Sequence, residues 1–225
     1  MEDIHVGHIR GVILDVDGTL VDSNDAQARA WIESMAQFGH FVAYEKVRWL
    51  IGEAGDKVIP QMIGLPADTP EGKQISARRG AVFSQRFMGS LQAFPEVREL
   101  VQRMLDAGLK IAIGSSAKQD ELQKLLTIAD IADLVSILVS SSDVQASKPN
   151  PSIVDVALKK LELQPDEVIM IGDTPYDIEA AARANVGTIA VRCGGWTDKE
   201  LARALAIYND PADLLAHYDT SPLAQ

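Results

Sequence analysis

The feature of this chain that most constrains its fold is an alternation of short apolar runs with longer helical patterns. The runs are rich in β-branched residues and apolar on both faces, which is typical of buried parallel strands. They lie at Ile9–Leu14, Lys110–Ile113, Ile137–Val139, Val168–Ile171 and Thr188–Val191, with a shorter candidate at Ala206–Tyr208. Helical patterns between them include Val97–Ala107, Ile153–Leu161 and Glu179–Ala184. The alternation predicts an α/β fold with a doubly wound parallel sheet.

One long interval breaks this alternation. Residues 23–89 contain no convincing strand, and glycines and prolines separate their helical patterns. These patterns lie at Ala26–Phe38, Tyr44–Leu50, Asp56–Ile63 and Pro70–Met88. An insert of this length is too long for a loop. We therefore predict a small all-helical domain over residues 23–89, inserted into an α/β core of residues 1–22 and 90–225, with a frayed tail at Thr220–Gln225.

Composition and charge exclude several classes of function. The chain has 21 Lys and Arg against 32 Asp and Glu, a net charge of −11, so a nucleic-acid backbone would be repelled. The single cysteine, Cys193, excludes an internal disulfide framework and a cysteine-based zinc site, and it fits a reducing compartment. No apolar stretch is long enough to span a membrane. We therefore expect a cytoplasmic protein with no nucleic-acid or membrane partner, and no pattern implies a protein partner.

The strongest local motif is the segment DVDGTL, residues 15–20, at the end of the first predicted strand. Asp15 and Asp17 are two residues apart on an extended segment, so their side chains point the same way. Carboxylates this close repel each other unless a cation or a proton intervenes. Gly18 permits a sharp turn away from the sheet. The motif predicts a functional site at the carboxyl edge of the sheet, where ligands bind in open α/β folds.

Polar residues also follow three later strands. Ser115 follows the second strand, with Ser116 as a rival for its role, Lys148 lies in a loop after the third, and Asp173 follows the fourth. Carboxylate oxygens suit a hard cation, whereas Lys and Ser suit phosphoryl oxygens. Together these residues predict a Mg²⁺ and phosphate site.

These motifs identify the chain with a known family. The segments DVDGTL, IGSSA, SKPNP and GDTPYD occur in the order found in the haloacid dehalogenase-like hydrolases, and the resemblance runs from Gly11 to about Leu214. The segment 51–57 and the stretch Gly194-Gly195-Trp196 also resemble phosphoglycolate phosphatase-like members. The resemblance implies a Rossmann-like core with a small helical cap. It also implies a Mg²⁺-dependent phosphatase that acts on a small phosphorylated metabolite.

The resemblance also assigns chemical roles to the two motif aspartates. Asp15 would attack phosphorus and form an aspartyl-phosphate. Asp17 would protonate the leaving oxygen and then deprotonate the hydrolytic water. Both would help bind Mg²⁺, Asp17 through its backbone carbonyl.

Binding roles fall to the later motifs. By the resemblance, Ser115 and the amide of Ser116 would hold the transferring phosphoryl group, and Lys148 would neutralise its charge. Asp173 would ligate Mg²⁺, and Asp177 would do so directly or through water.

Residues 23–89 would form the cap, in which Arg48 and Lys57 are candidates for contacting an anionic leaving group.

Four other functions are weighed against phosphatase activity. Similar phosphosugar mutases carry a His ten residues after the second Asp, where this chain has Gln27. Haloacid dehalogenases lack the second Asp, which is present here as Asp17. Phosphonate hydrolysis would need a cap lysine, and Lys57 lies near but outside the expected register. A phospho-acceptor signalling module uses similar residues but is about half this length and has no helical insert.

Overall fold

The protein is described by a computed structural model that covers residues 7–144 and 147–224. The chain divides into two compact units. One comprises Met1–Asp22 and Gln92–Gln225, and the other is the insert Ser23–Leu91.

A six-stranded sheet of order β3-β2-β1-β4-β5-β6 forms the centre of the first unit, and all its pairings are parallel. Its strands are β1 (Gly11–Leu14), β2 (Lys110–Gly114), β3 (Ile137–Val139), β4 (Val168–Gly172), β5 (Gly187–Val191) and β6 (Ala206–Tyr208). Strands β1, β4 and β5 are buried along their whole length, which explains why their sequences are apolar on both faces. The order confirms the predicted doubly wound α/β fold.

The insert contains helices and forms its own apolar core. Its helices are α1 (Asn24–Ala36), α2 (Tyr44–Arg48), α3 (Gly55–Ile63) and α4 (Pro70–Val82). Trp31 and Met35 of α1 are buried in the core together with Val47, Ile59 and Ile75 of the other three helices. The predicted continuous helix 70–88 instead passes from α4 into a π-helical segment (Phe83–Phe87) and a 3₁₀ turn (Met88–Ser90).

Helices of the first unit cover the sheet. They are α5 (Val97–Asp106), α6 (Gln119–Ile128), α7 (Ser152–Leu161), α8 (Pro175–Arg183), α9 (Asp198–Leu201) and α10 (Pro211–Ala216). Ile153 and Ala157 of α7 and Ala180 of α8 pack with Ile13 and Met170 of the central strands in one buried cluster. Helix α5 contacts β2 and α10. The core therefore lies against the strands whose ends carry the DVDGTL and GDTPYD motifs.

Other local predictions also differ from the structure. The first strand begins at Gly11 and not at Ile9, because its neighbours begin at Lys110 and Val168 and pair directly with Gly11. The N-cap of α7 is Pro151, and the Asn150 side chain accepts from the amide of Ser152. The tail is not frayed over its described part, because it forms 3₁₀ turns that bury Leu223, whereas Gln225 lies outside the described residues.

Within residues 7–144 and 147–224, no helix is long and apolar enough to cross a membrane.

Candidate active site

Three of the predicted site residues leave neighbouring strands at one edge of the sheet. Leu14, the last residue of β1, pairs with Ile113 of β2 and Ile171 of β4. The residues that follow therefore emerge side by side: Asp15 after β1, Ser115 after β2 and Asp173 after β4. Backbone bonds hold this register beyond the strands, since the Asp15 amide donates to Ile171 (2.9 Å) and the Ser115 amide to Val139 (3.0 Å).

Lys148 lies between two carboxylates. Its ammonium nitrogen is 2.5 Å from Asp15 Oδ1 and 2.7 Å from Asp177 Oδ1. The Lys148 side chain is only 1% exposed, so solvent does not screen these ion pairs. The sequence placed this lysine more than a hundred residues from Asp15, and the loop after β3 brings the two together. The positively charged Lys148 ammonium therefore lies directly beside the Asp15 carboxylate, which follows β1.

Thr19, for which no role was predicted, lies between the carboxylates of Asp15 and Asp173. Its fully buried hydroxyl lies 3.2 Å from Asp15 Oδ2 and 3.0 Å from Asp173 Oδ1. A hydroxyl has one proton, so it donates to one of these oxygens at a time. The turn at Gly18, whose φ of 76° lies in the left-handed region, brings Thr19 back toward Asp15. A hydroxyl four residues after the first Asp was the available sequence signal.

Asp177 has a structural role as well as a place in the site. In the first turn of α8 it forms a capping box with Thr174. Its Oδ2 accepts from the Thr174 amide (3.0 Å) and hydroxyl (2.6 Å). Its Oδ1 faces Lys148. The carboxylate is therefore fixed on both sides before any ligand binds.

The site concentrates negative charge in a buried place. One oxygen from each of Asp15, Asp173 and Asp177 lies within 4.8 Å of the others, and all three residues are buried. Burial is the main cause that raises the pKa of Asp15 to about 7. The Asp177 and Asp17 carboxylates raise it further, while Lys148 opposes them. The two carboxylates outweigh burial at Lys148 and raise its pKa, so the lysine is charged.

The donor set fits a magnesium ion. Three clustered carboxylates face one ammonium group, so negative charge exceeds positive charge in the cluster. Their oxygens are hard ligands, which Mg²⁺ prefers. A divalent cation at this point would relieve the repulsion that raises the pKa of Asp15.

The sequence did not predict that two glycines and a cysteine pack closely around the carboxylates. Gly172 and Gly194 have no room for a side chain. A Cβ on Gly172 would overlap Asp177, and one on Gly194 would overlap Asp173. The thiol of Cys193, the residue before Gly194, donates to the carbonyl of Gly18 at 3.3 Å. The turn after β5 therefore adjoins both the motif loop and a carboxylate of the site.

The remaining predicted residues differ in their surroundings. Ser115 is fully buried and its hydroxyl accepts from the Ala117 amide at 3.1 Å, while Ser116 and Asp17 are half-buried. In the insert, Arg48 donates through Nε to Asp25 at 2.9 Å, and the ammonium of Lys57 lies 4.0 Å from Asp56. The roles proposed for these five residues stay predictions.

Comparison with known proteins places the chain in a family. A family model described as haloacid dehalogenase-like hydrolase matches residues 12–191. The chain is 30% identical over 215 residues to a phosphoglycolate phosphatase from Yersinia pseudotuberculosis, covering 93% of this chain and 90% of that protein. It is 25% identical over 192 residues to the pyrophosphatase PpaX from Oceanobacillus iheyensis, covering 85% and 86% of the two chains.

A solved structure extends this similarity to three dimensions. A hydrolase from Pseudomonas syringae matches with a TM-score of 0.87 at 28% identity, covering 94% of this chain and 98% of that one. The matched range includes Asp15, Lys148, Asp173 and Asp177. The chain belongs to the haloacid dehalogenase-like hydrolase family.

Proposed function

We propose that this protein is a Mg²⁺-dependent phosphatase that hydrolyses a small phosphorylated metabolite through an aspartyl-phosphate on Asp15. The observation that carries the proposal is the buried cluster of Asp15, Asp173 and Asp177 around the Lys148 ammonium at the carboxyl edge of the sheet. A nucleophile, a cation site and a fixed positive charge within one buried cluster are the requirements of phosphoryl transfer to a carboxylate.

The reaction has two steps, and both proceed at Asp15. A carboxylate oxygen of Asp15 forms a bond to phosphorus as the bond to the leaving oxygen breaks, and Asp17 gives that oxygen a proton. A water then attacks phosphorus and gives its proton to Asp17, and the bond between Asp15 and phosphorus breaks. The products are the alcohol and inorganic phosphate, and both aspartates return to their starting protonation states.

The metal would be held by this chain's own oxygens. The carboxylates of Asp15, Asp173 and Asp177 and the backbone carbonyl of Asp17 would bind it, Asp177 either directly or through water. Mg²⁺ supplies positive charge against the phosphoryl oxygens. Asp177 also faces Lys148 and caps α8, so its carboxylate is already positioned by two other contacts.

Three residues would hold the transferring group. Lys148 lies beside Asp15, so its charge is in place for a phosphoryl group attached there. Ser115 follows β2 in register with Asp15, and its hydroxyl proton remains available to a phosphoryl oxygen. The amide of Ser116 would add a second donor.

The substrate class is proposed from the relatives. The Yersinia relative is named a phosphoglycolate phosphatase, so a phosphoester of a small organic acid is the first candidate. The Oceanobacillus relative is named a pyrophosphatase, which makes inorganic pyrophosphate the second. We further propose that the enzyme works in the cytoplasm on a small-molecule substrate, without a nucleic-acid or membrane partner. A mutase is disfavoured because Gln27 stands where the similar mutases carry a His.

A substrate panel tests the proposal. Purified protein is assayed for phosphate release from phosphoglycolate, pyrophosphate, several sugar phosphates and p-nitrophenyl phosphate, with Mg²⁺ and with EDTA. Steady turnover with Mg²⁺ and none with EDTA is expected. A single stoichiometric phosphorylation without turnover would instead favour a signalling module, and transfer of phosphate between sugar positions would favour a mutase.

Asp17→Asn is expected to slow turnover by about 10²–10⁴-fold, the usual contribution of a general acid–base group. Mg²⁺ affinity should change little, because the proposed metal contact of Asp17 is its backbone carbonyl. Steady-state kinetics and calorimetric Mg²⁺ titration measure the two effects. A large loss of affinity with unchanged turnover would show that the side chain serves the metal and not the proton transfers.

Residues 23–89 are proposed to act as a cap that selects the leaving group. The core motifs contact the phosphoryl group and metal, which every phosphoester substrate shares, so selectivity has to come from other residues. Lys57 is exposed in α3 and Arg48 is braced by Asp25 in α2, so both offer positive charge within the insert.

Lys57→Ala is expected to lower kcat/KM about tenfold or more for an anionic metabolite while p-nitrophenyl phosphate hydrolysis stays nearly unchanged. The reason is that the p-nitrophenyl leaving group carries no second anion for Lys57 to contact. Lys46→Ala, at another exposed lysine of the insert, is the matched control and should affect neither substrate. An equal loss on both substrates would assign Lys57 to packing or to phosphoryl binding.

A further inference from the structure

Gly194 lies directly against one carboxylate of the proposed metal site. It ends the 3₁₀ turn Arg192–Gly194 that follows β5, and it is buried. A Cβ at this position would overlap Oδ2, Cγ and Cβ of Asp173, all at distances well under 3.0 Å, which real Cβ atoms essentially never show. The backbone of this turn therefore forms one wall of the space in which the Asp173 carboxylate sits.

The opposite side of Asp173 is also defined. Its Oδ1 accepts from the Thr19 hydroxyl at 3.0 Å, and the whole residue is inaccessible to solvent. The Thr19 hydroxyl restricts the position of Asp173 Oδ1, and the Cα of Gly194, which has no side chain, restricts the position of Oδ2. Asp173 is therefore restricted to a narrow range of positions before a metal binds. Only a residue without a side chain at position 194 permits that range.

The turn that carries Gly194 is itself fixed to the motif loop. Cys193 donates its thiol proton to the carbonyl of Gly18 at 3.3 Å, and Gly18 lies between Asp17 and Thr19. Arg192 anchors the other end of the turn through its ion pair with Asp198 (2.6 Å). The position of Gly194 is therefore coupled to the loop that also bears Asp15.

We propose that Gly194 is a positioning residue for Mg²⁺ binding. Because it has no side chain, the Asp173 carboxylate can occupy the position from which it would bind the metal. The inference rests on the proposed function, because it assigns Asp173 to the metal. Gly194 is required here because a Cβ would occupy the space of the Asp173 side chain. The conformational freedom of glycine is not part of the argument. A methyl group at 194 must displace the carboxylate or the turn, and either movement separates one oxygen from the other ligands.

The test is Gly194→Ala, assayed by calorimetric titration with Mg²⁺ and by melting temperature in EDTA. We expect a 10- to 100-fold weaker Mg²⁺ affinity, the usual cost of disturbing a group that supports a metal ligand. Raised Mg²⁺ concentrations should recover turnover, since the nucleophile and the phosphoryl-binding residues are unaltered. Gly80→Ala is the matched control, because a Cβ there meets nothing within 4 Å and the residue lies inside α4.

A second background keeps the test decisive if Gly194→Ala folds poorly. In the Asp173→Gly background, the methyl group of Ala at position 194 meets no side chain at position 173. Gly194→Ala should therefore lower the melting temperature of the wild-type protein but not that of the Asp173→Gly protein. Equal lowering in both backgrounds would overturn the inference, as would wild-type Mg²⁺ affinity in a folded Gly194→Ala protein. If the unmodified protein itself bound no Mg²⁺, the proposed function would fail instead, so the two failures are distinguishable.

Discussion

Asp15→Asn is expected to abolish phosphatase turnover, with a loss on the order of 10⁶-fold, as when the nucleophile of a covalent mechanism is removed. The amide keeps the shape of the carboxylate but cannot attack phosphorus. The protein should stay folded, because Lys148 retains its ion pair with Asp177 at 2.7 Å. Turnover is measured with Mg²⁺ on the best substrate of the panel, and folding by the melting temperature.

A chemical trap distinguishes loss of the nucleophile from loss of binding. Borohydride reduction during turnover should label the wild-type protein at Asp15, because an acyl phosphate is reducible and a free carboxylate is not. The Asp15→Asn protein should take no label. Near wild-type turnover in the variant, or labelling at another carboxylate, would contradict the proposed mechanism.

Lys148→Met is expected to lower both stability and activity. Lys148 is the buried counter-ion of Asp15 and Asp177, and removing one partner of a buried ion pair typically costs about 3–5 kcal/mol. For a chain of this size that corresponds to a melting temperature roughly 10 °C lower in EDTA. Turnover should fall by at least about 10²-fold, because the variant lacks the charge that is proposed to face the phosphoryl group.

An exposed lysine provides the control for this variant. Lys160 donates to the carbonyl of Leu138 and pairs with Asp143 at 3.6 Å, but 41% of its side chain is exposed. Lys160→Met should change stability by less than about 1 kcal/mol, as for other exposed pairs. Added Mg²⁺ should restore part of the stability of Lys148→Met, since it supplies positive charge to the same carboxylates. Similar stability of the two variants would mean that Lys148 is not the counter-ion of the cluster.

The central strands β1, β2, β4 and β5 were predictable because nearly all of their residues are buried and therefore apolar. Runs apolar on both faces located all six strands, and β3 and β6 have the predicted limits. Helix α6 was expected from the alternation, but its limits were not predicted. Lys118 at its N-cap makes no side-chain capping bond, so the sequence carries no start signal, although Leu122, Leu125 and Leu126 form its buried stripe. The tail was misjudged because Leu223 is buried by tertiary packing, which local polarity does not reveal.

The site was predictable to the extent that it follows strand ends. Asp15, Ser115 and Asp173 follow apolar runs, so the sheet edge alone brings them together. The roles of Thr19 and Gly194 depend on approaches to Asp173 across 154 and 21 residues of chain. No local pattern encodes the distance between a hydroxyl or a bare Cα and a carboxylate that far away, so these contacts required the structure.

The pairing of β1 has a consequence for when the enzyme can become active. Gly11 pairs with Lys110 on one side and Val168 on the other, so both neighbours of the first strand lie far along the chain. Contacts of such long range form late, since closing a long loop costs entropy before the contacts form. During synthesis Asp15 is made well before its partners, because Lys148 and β4 follow it by more than a hundred residues. Catalytic competence is therefore expected to appear only after β4 and Lys148 have joined β1, and not when the DVDGTL segment alone has been made.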